Sequence, residues 1–165
     1  MKIIKADIRN LYKQGKVVCV TTNGFIKKSG EAVMGRGNAL AMAQLIPQLP
    51  INLANHIKRN GNVTGFIYKS IIAFPVKPIK GTWDDALDNV KPKFKVNDII
   101  PGFWCKASPL IIRDSLYRLN QLLDFYDTLN EVYLPIPGCS NGGLKLEDIQ
   151  HILEKGSSKI IYCSL

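Results

Sequence analysis

Two glycine-containing loops carry the residue types that could bind a phosphate group. The first runs from Thr21-Thr22-Asn23-Gly24 to Val33-Met34-Gly35-Arg36-Gly37-Asn38 and leads into a helical pattern. Glycines let backbone N–H groups approach an anion closely, and the positive end of the following helix dipole favours negative charge. The spacing is neither a Walker A loop nor a complete Rossmann fingerprint, and by itself it also fits an ordinary turn and helix cap.

The second loop, Pro135-Ile136-Pro137-Gly138-Cys139-Ser140-Asn141-Gly142-Gly143-Leu144, also joins a strand-like run to a helical one. Its three glycines and two small polar residues place several N–H donors in succession, which is typical of an anion nest. A long flexible connection is the alternative. Two such loops, each at a strand-to-helix junction, predict a ligand with two phosphates, one gripped from each side.

The elements that position these loops alternate in type. Apolar patterns predict strands at 3–8, 17–21, 66–68, 70–74, 132–136 and 159–164, and helices at 38–46, 51–59, 110–126 and 146–154. This order predicts an α/β fold, a single domain over 1–165 built as a three-layer α/β/α sandwich with a mixed central sheet. Ligands bind such sheets at the carboxyl ends of the strands, where both loops fall.

Residues 75–108 show no clean period and carry four prolines. We expect a long excursion with at most a short helix, and loops of this length are often functional. Its aromatic residues Trp83, Phe103 and Trp104 are expected to pack it onto the core or to wall a ligand pocket.

Charge is unevenly distributed along the chain. Residues 1–80 hold 13 Lys and Arg against Asp7 and Glu31 only, a net charge of +11, whereas residues 81–165 hold 9 against 11 acidic residues. This asymmetry favours an anionic partner, which could be a phosphate ligand, a nucleic acid or a membrane surface, although a solvated lysine surface explains it equally well. The sequence has no apolar run long enough for a transmembrane helix, so we expect no membrane partner.

The number and spacing of the cysteines and histidines limit which metal sites and disulfides the chain could form. The four cysteines form no CxxC pair, and only two histidines are present. We therefore expect no metal site, no cofactor and reduced thiols in a cytoplasmic compartment.

Three motifs together resemble the macro domain family, which binds ADP-ribose. Both loops resemble that family's ligand loops, and Lys5-Ala6-Asp7-Ile8 resembles its Gly-Asp-Ile/Leu motif near the end of the first strand. The predicted element order matches over nearly the whole chain, with residues 75–108 contributing little. The sequence is most similar to compact single-domain members from phages and bacteria, which include ADP-ribose 1″-phosphate phosphatases.

The resemblance implies roles for individual residues. Asp7 would accept a hydrogen bond from the adenine amino group beside the N–H of Ile8, and Asn23 would contact the distal ribose. Gly35 and Gly37 would approach the diphosphate from one side. The other implied ligand contacts are Thr22, Arg36, Pro137, Gly138, Cys139, Ser140, Asn141, Gly142, Gly143, Leu144 and Tyr162. For Tyr162, a place beside adenine competes with an ordinary place in the core.

The sequence departs from the family pattern at three points. The first loop has Gly35-Arg36-Gly37 in place of a longer glycine run, and Arg36 either adds charge near the phosphates or points to solvent. Some relatives that remove ADP-ribose use a carboxylate in the second loop, where this chain has Gly142. Some DNA-acting relatives carry a lysine in a Phe-Pro-x-Lys segment, which Phe74-Pro75-Val76-Lys77 resembles. Lys77 is therefore a catalytic candidate, with an ordinary surface lysine as the alternative.

Three functional classes follow from the resemblance. The first expectation is a phosphatase on ADP-ribose 1″-phosphate. Cys139 lacks the downstream arginine of a CxxxxxR signature, so it is not expected to act as the nucleophile of this phosphatase. The phosphatase would instead use water positioned by Asn23. The alternatives are a glycohydrolase acting on ADP-ribosylated DNA or protein, and a monomeric module that binds ADP-ribose without turnover. A non-specific nucleic-acid-binding domain rests on charge alone and lacks recognition motifs.

Overall fold

The computed structural model describes residues 1–165, and six of its eight strands form one mixed sheet. The strands are β1 (Lys2–Lys5), β2 (Val18–Thr22), β3 (Gly65–Tyr68), β4 (Ile71–Pro75), β5 (Lys80–Gly81), β6 (Ile100–Pro101), β7 (Val132–Pro135) and β8 (Ile160–Ser164). Their order across the sheet is β1-β8-β7-β2-β4-β3, and only β3 runs antiparallel to its neighbour. The short strands β5 and β6 pair with each other.

Helices cover both faces of the sheet, which confirms the predicted α/β/α sandwich. The helices are α1 (Ile8–Lys13), α2 (Gly37–Leu45), α3 (Leu49–Asn60), α4 (Pro109–Phe125) and α5 (Leu146–Leu153). The first three pack on one face, against Val18 and Val20 of β2, and the last two pack on the other face, against Cys19 of the same strand. Because both faces are covered, the central strands are continuous apolar runs, as parallel sheets require. None of these helices combines the length and apolar character that crossing a membrane requires.

The amphipathic stripe predicted over 110–126 is present in α4. Ile112, Leu116, Leu119 and Leu123 are fully or almost fully buried against the sheet. The side chain of Ser108 caps the helix by accepting a hydrogen bond from the N–H of Ile111. The helix ends at Phe125, so Tyr126 lies beyond it and remains exposed.

The main difference from the predicted elements lies at the amino terminus. Residues 3–8 read as one strand, but β1 ends at Lys5 and Ile8 begins α1. Asp7 stands between them as the N-cap, accepting a hydrogen bond from the N–H of Arg9. Only Ile8 and Leu11 of this short helix are buried, so its apolar pattern is too brief to distinguish a helix from a strand.

Residues 75–108 form an excursion with a small core of its own. It contains three single helical turns, at Trp83–Asp85, Lys91–Lys93 and Gly102–Trp104, in addition to β5 and β6. Ala86, Ile100 and Cys105 are completely buried within it. The excursion therefore has a defined conformation, and it holds the Gly102–Trp104 turn beside the carboxyl edge of the sheet.

Candidate functional site

A cavity of about 280 Å³ opens at the carboxyl edge of the sheet, where β2, β4 and β7 end. Both glycine-containing loops and the excursion border it, as expected for a ligand site in a parallel sheet. The lining residues are Thr21, Thr22, Asn23, Val33, Met34, Gly35, Arg36, Gly37, Asn38, Ala39, Val76, Lys77, Phe103, Trp104, Ile136, Gly138, Ser140, Asn141 and Gly142. The structure thus brings both predicted loops to one place.

Internal hydrogen bonds hold the first loop in shape. The Asn38 amide bonds Thr21 twice: Nδ2 donates to Thr21 Oγ1 at 2.8 Å, and Oδ1 accepts from the Thr21 N–H at 2.9 Å. Asn23 Oδ1 accepts from the Phe25 N–H at 2.9 Å, while Asn23 Nδ2 donates to the carbonyl of Val33 at 3.2 Å. The Asn23 amide therefore supports the loop through both of its polar atoms.

The two loops meet closely at Gly37, the first residue of α2. Its φ of 57° lies in the left-handed region, and an added Cβ would lie 2.9 Å from Asn141 Nδ2 in the second loop. The helix that follows directs its positive dipole end and its unpaired N–H groups toward the cavity. A side chain at Gly37 would be strained by this backbone conformation and would displace the Asn141 side chain.

The second loop folds back on itself around Gly142. The N–H of Leu144 donates to the carbonyl of Gly138 at 3.0 Å, and the N–H of Ala107 donates to the carbonyl of Gly142 at 2.9 Å. A Cβ at Gly142 would lie 2.5 Å from the Gly138 carbonyl oxygen and 2.7 Å from Ala107 Cβ. The carboxylate that some relatives carry in this loop therefore has no room at this position.

Lys77 lines the cavity from the end of β4, although its side chain is mostly buried (8% exposed). Its Nζ donates to the carbonyl of Phe103 at 3.3 Å and to the carbonyl of Asn141 at 3.2 Å. Burial of the amine lowers the pKa of Lys77, and the positive charge of Arg36 acts in the same direction. Lys77 is therefore a fixed amine inside the site, which excludes the solvated surface lysine that the sequence left open.

No cysteine is suited to act as a nucleophile here. Burial raises the pKa of the Cys139 thiol, and burial also raises the pKa of Cys105 to about 11. The thiolate is the reactive form, so both side chains remain unreactive near neutral pH. The structure also contains no group of three His, Cys, Asp or Glu side chains placed to hold a metal ion.

Phe103 and Trp104 form an aromatic wall on the excursion side of the cavity. Their ring centroids are 5.3 Å apart, and Phe25 packs edge-on against Phe103 at 5.2 Å. The Arg36 guanidinium lies 5.4 Å from the centroid of the Trp104 ring. The sequence left two roles open for these rings, packing the excursion onto the core or walling a ligand pocket. Both Phe103 and Trp104 line the cavity, and Phe103 also packs against Phe25 of the first loop.

Asp7 and Ile8 lie outside the cavity but on the same edge of the sheet. Asp7 follows β1, which is three strand spacings from β2, a separation of about 14 Å. Ile8 is the first residue of α1, and its side chain is buried. This span allows an extended nucleotide to reach from Asp7 to the cavity, while the placement of adenine at Asp7 stays a prediction.

The Asp7 carboxylate already has a partner within the chain. Arg9 Nε donates to both of its oxygens, at 3.1 and 3.0 Å, and Arg9 Nη2 contacts Oδ2 at 2.5 Å. Hydrogen bonding from Arg9 lowers the pKa of Asp7. Because these bonds and the helix cap occupy most of the carboxylate's lone pairs, an adenine amino group would have to displace Arg9.

Replacing Arg9 with Gln is therefore expected to strengthen ADP-ribose binding, by about two- to fivefold, because an exposed ion pair contributes little but must be broken. Isothermal titration calorimetry measures the change. Lys13→Gln removes the same charge from the same helix without touching the Asp7 side chain and should bind as the wild type does. Weaker binding by Arg9→Gln would mean that Arg9 itself contacts the ligand.

Besides Asp7 and Ile8, five of the residues expected at the ligand do not line the cavity: Pro137, Cys139, Gly143, Leu144 and Tyr162. The first four belong to the second loop but are not among its cavity-lining residues. Tyr162 is 1% exposed within the core beneath α4 and α5, and its hydroxyl donates to the carbonyl of Leu153 at 2.8 Å. The structure thus places Tyr162 in the core, because β8 directs alternate residues to opposite faces of the sheet.

Replacing Tyr162 with Phe is expected to cost about 1 kcal/mol of unfolding free energy, because a buried hydrogen bond is lost. For a domain of this size that corresponds to a Tm lower by about 2–4 °C. Thermal unfolding and calorimetry together test the assignment: the Tm should fall while ADP-ribose affinity stays unchanged. A loss of affinity without a loss of stability would return Tyr162 to the binding site.

Comparison with known proteins gives neighbours by structure alone. No family model matches the chain, and no curated protein matches it. The macrodomain of Thermus aquaticus DarG aligns with a TM-score of 0.63 and 18% identity, covering 99% of this chain and 97% of that one. The macrodomain of Mycobacterium tuberculosis DarG aligns with a TM-score of 0.59 and 18% identity, covering 90% and 88%.

A third solved structure, Thermosipho africanus DarTG in complex with ADP-ribose, aligns with a TM-score of 0.55 and 15% identity. The alignment covers 90% of this chain but only 38% of that longer chain. Similarity at these identities concerns the arrangement of the backbone. Together with the six-stranded mixed sheet and its two helical layers, it shows that this chain has the macrodomain fold.

Proposed function

We propose that this protein is a hydrolase that releases ADP-ribose from conjugates by cleaving the bond at C1″ of the distal ribose. The observation that carries the proposal is the buried amine of Lys77, fixed inside a cavity bordered by two anion-binding loops. A lysine whose charged form is disfavoured by burial is a candidate catalytic group. The macrodomain fold and the solved ADP-ribose complex of a neighbour support the choice of ligand.

The geometry suggests how ADP-ribose would lie along the sheet edge. The adenine end would lie toward Asp7 after β1, and the diphosphate would lie between the glycine-containing loops after β2 and β7. The distal ribose would then reach Lys77, which follows β4 on the far side of β2. Thr22 lies at the centre of this path, and its buried hydroxyl has no partner within the protein, so it is available to a ligand group.

Lys77 would act in its neutral form. A neutral amine has two N–H bonds, which the carbonyls of Phe103 and Asn141 accept, and one lone pair left for reaction. The lone pair would attack C1″, and the electrons of the C1″ bond to the base or side chain would leave with that group, which takes a proton from water. A second water would then add to C1″ and pass one proton to the hydroxide left by the first, the Lys77 nitrogen would regain its electron pair, and ADP-ribose would be released.

A phosphatase acting on ADP-ribose 1″-phosphate is the second candidate. The first loop favours it in one respect, since Arg36 and the start of α2 offer charge for an additional phosphate. Its weakness is Asn23, which was expected to position the attacking water but uses both polar atoms of its amide inside the loop. In that reaction Lys77 would serve as a cation beside the phosphate, a role that its lowered pKa disfavours.

Among conjugates, we propose ADP-ribosylated DNA over ADP-ribosylated protein. The amino-terminal half carries 13 basic residues against two acidic ones, more than a diphosphate held largely by backbone N–H groups requires. A polyanion attached to the ligand supplies a partner for that excess charge. The similarity of the Phe74-Pro75-Val76-Lys77 segment to that of DNA-acting relatives points the same way.

A three-substrate assay tests the proposal. The purified chain is incubated with an ADP-ribosylated single-stranded oligonucleotide, a peptide ADP-ribosylated on glutamate and ADP-ribose 1″-phosphate, and products are separated by chromatography. We expect free ADP-ribose from the oligonucleotide and no inorganic phosphate from the third substrate. Phosphate release alone would establish the phosphatase, cleavage of the peptide alone would redirect the substrate to protein, and tight ADP-ribose binding without any turnover would establish a binding module.

A further inference from the structure

Trp104 lines the cavity, is half-buried, and lies within cation–π distance of two cations. The Arg36 guanidinium lies 5.4 Å from the centroid of its ring, and Lys93 Nζ lies 5.2 Å from the same centroid. Arg36 comes from the first loop and Lys93 from the excursion, so the indole is where these two parts of the chain meet. Neither cation has a carboxylate within salt-bridge distance.

This cluster adjoins the reactive end of the proposed site. The carbonyl that accepts a hydrogen bond from Lys77 belongs to Phe103, the residue directly before Trp104. The two glycine-containing loops take up the sides of the cavity where phosphates would lie. A group leaving from C1″ would therefore depart along the remaining side, past the Trp104 ring.

The chemistry of the cluster indicates which group fits. An exposed aromatic face stacks on a nucleobase, and flanking Lys and Arg side chains bind the adjoining phosphates, as in single-strand binding grooves. Without a nucleic acid, the two cations rest against the ring by cation–π contacts. A phosphate is the stronger partner for both cations, so a bound strand would draw them outward and free the ring face. An acidic peptide would use the cations but leave the indole without a role.

We propose that Trp104, Arg36 and Lys93 form a leaving-group subsite, in which the indole stacks on the base that loses ADP-ribose and the cations bind its neighbouring phosphates. The proposal rests on the glycohydrolase function above and adds residues that choose the conjugate. Trp104 is a specificity-determining residue in this account, separate from the catalytic amine.

Trp83 provides a matched control. It also belongs to the excursion and also holds a lysine against its ring, with Lys91 Nζ 4.7 Å from the centroid, but it does not line the cavity. We expect Trp104→Leu to raise KM for an ADP-ribosylated single-stranded oligonucleotide by about tenfold, whereas Trp83→Leu leaves it unchanged. Trp83→Leu should retain the wild-type Kd for free ADP-ribose. Because Trp104 lines the cavity, Trp104→Leu is judged by a comparison within the variant: its KM for the oligonucleotide should rise much more than its Kd for free ADP-ribose.

Salt dependence tests the cations separately. Lys93→Gln is expected to reduce the slope of log KM against log salt for the oligonucleotide by about one, because one phosphate contact is lost. An equal loss on oligonucleotide and peptide, or a rise in the Kd of Trp104→Leu for ADP-ribose as large as its rise in KM, would overturn the proposal, because Trp104 would then serve the nucleotide pocket itself. A loss confined to the peptide would show that the leaving group is protein.

A binding measurement tests the subsite even if the protein proves not to be a hydrolase. If the wild type binds ADP-ribose but cleaves no conjugate, the proposed function fails. An unmodified single-stranded oligonucleotide is then titrated into Trp83→Phe, in which Trp104 is the remaining tryptophan. Stacking predicts quenching of its fluorescence. No change in fluorescence at saturating oligonucleotide would overturn the subsite as well.

Discussion

Replacing Lys77 with Met lowers kcat for release of ADP-ribose by about a thousandfold, while the Kd for ADP-ribose changes little. Methionine matches the length and apolar stem of lysine, but it supplies no nitrogen to C1″. A positioned catalytic side chain commonly contributes about 10²–10⁴-fold, which sets the expected size. Single-turnover kinetics on the ADP-ribosylated oligonucleotide and calorimetry with ADP-ribose measure the two effects separately.

Lys77→Arg is the control that separates the lone pair from the charge. Arginine stays protonated at every accessible pH and keeps the positive charge, but it has no free electron pair. It should be as inactive as Lys77→Met. Near-wild-type activity in Lys77→Arg would contradict a nucleophilic role and would leave only an electrostatic one.

The pH dependence follows from the lowered pKa of Lys77. The amine reacts only when deprotonated, so kcat should rise with pH and level off below the ordinary lysine value of 10.5. At pH values between the lowered pKa and 10.5, the Lys77 amine holds fewer protons in the folded protein than in the unfolded chain. The contribution of Lys77 to the free energy of unfolding therefore rises with pH over this range. The Tm of the wild type should therefore rise relative to that of Lys77→Met as the pH approaches 10.

The second large effect concerns Gly142. An alanine there would place its Cβ 2.5 Å from the Gly138 carbonyl oxygen and 2.7 Å from Ala107 Cβ, so the loop must move. Overpacking of this kind costs about 1–3 kcal/mol, and for a domain of this size each kcal/mol lowers the Tm by about 2–4 °C. ADP-ribose affinity should fall as well, because the displaced loop carries the N–H donors for the diphosphate. Thermal unfolding and calorimetry give both numbers.

Gly35→Ala is the matched control in the opposite loop. Its Cβ would meet no protein atom within 4 Å, and its φ lies outside the left-handed region, so the Tm should stay close to that of the wild type. Its affinity for ADP-ribose should still fall, because the new methyl group enters the space where the diphosphate would approach. If Gly142→Ala left both Tm and affinity unchanged, the second loop would be more adaptable than its contacts imply.

The sequence predicted the layers and the two glycine-containing loops at strand-to-helix junctions because those features are local. Leu116 and Leu119 belong to a helical stripe that needs no tertiary information, and Gly35 and Gly37 stand where a helix begins. By contrast, α1 has only Ile8 and Leu11 as buried residues, so the strand pattern over 3–8 obscured it. The signal that could have revealed this helix is Asp7, which is a favoured N-cap residue.

The composition of the cavity wall could not be predicted, because it depends on long-range contacts. Lys77 meets the carbonyl of Phe103 across 26 residues and that of Asn141 across 64. Periodicity is absent from 75–108, so nothing in that stretch indicated that Trp104 would face Arg36. The position of Tyr162 was open between two roles, and the strand register of β8 decides it in favour of the core.

Reductive trapping tests the central claim, that the Lys77 amine forms a bond to C1″, most directly. The wild type is incubated with the ADP-ribosylated oligonucleotide and cyanoborohydride, which reduces the imine formed when the sugar ring of the adduct opens. Mass spectrometry of the digested protein should then find ADP-ribose attached to the peptide that contains Lys77, and no label in Lys77→Arg. Full release of ADP-ribose with no label at Lys77, or with the label on another residue, would contradict the account.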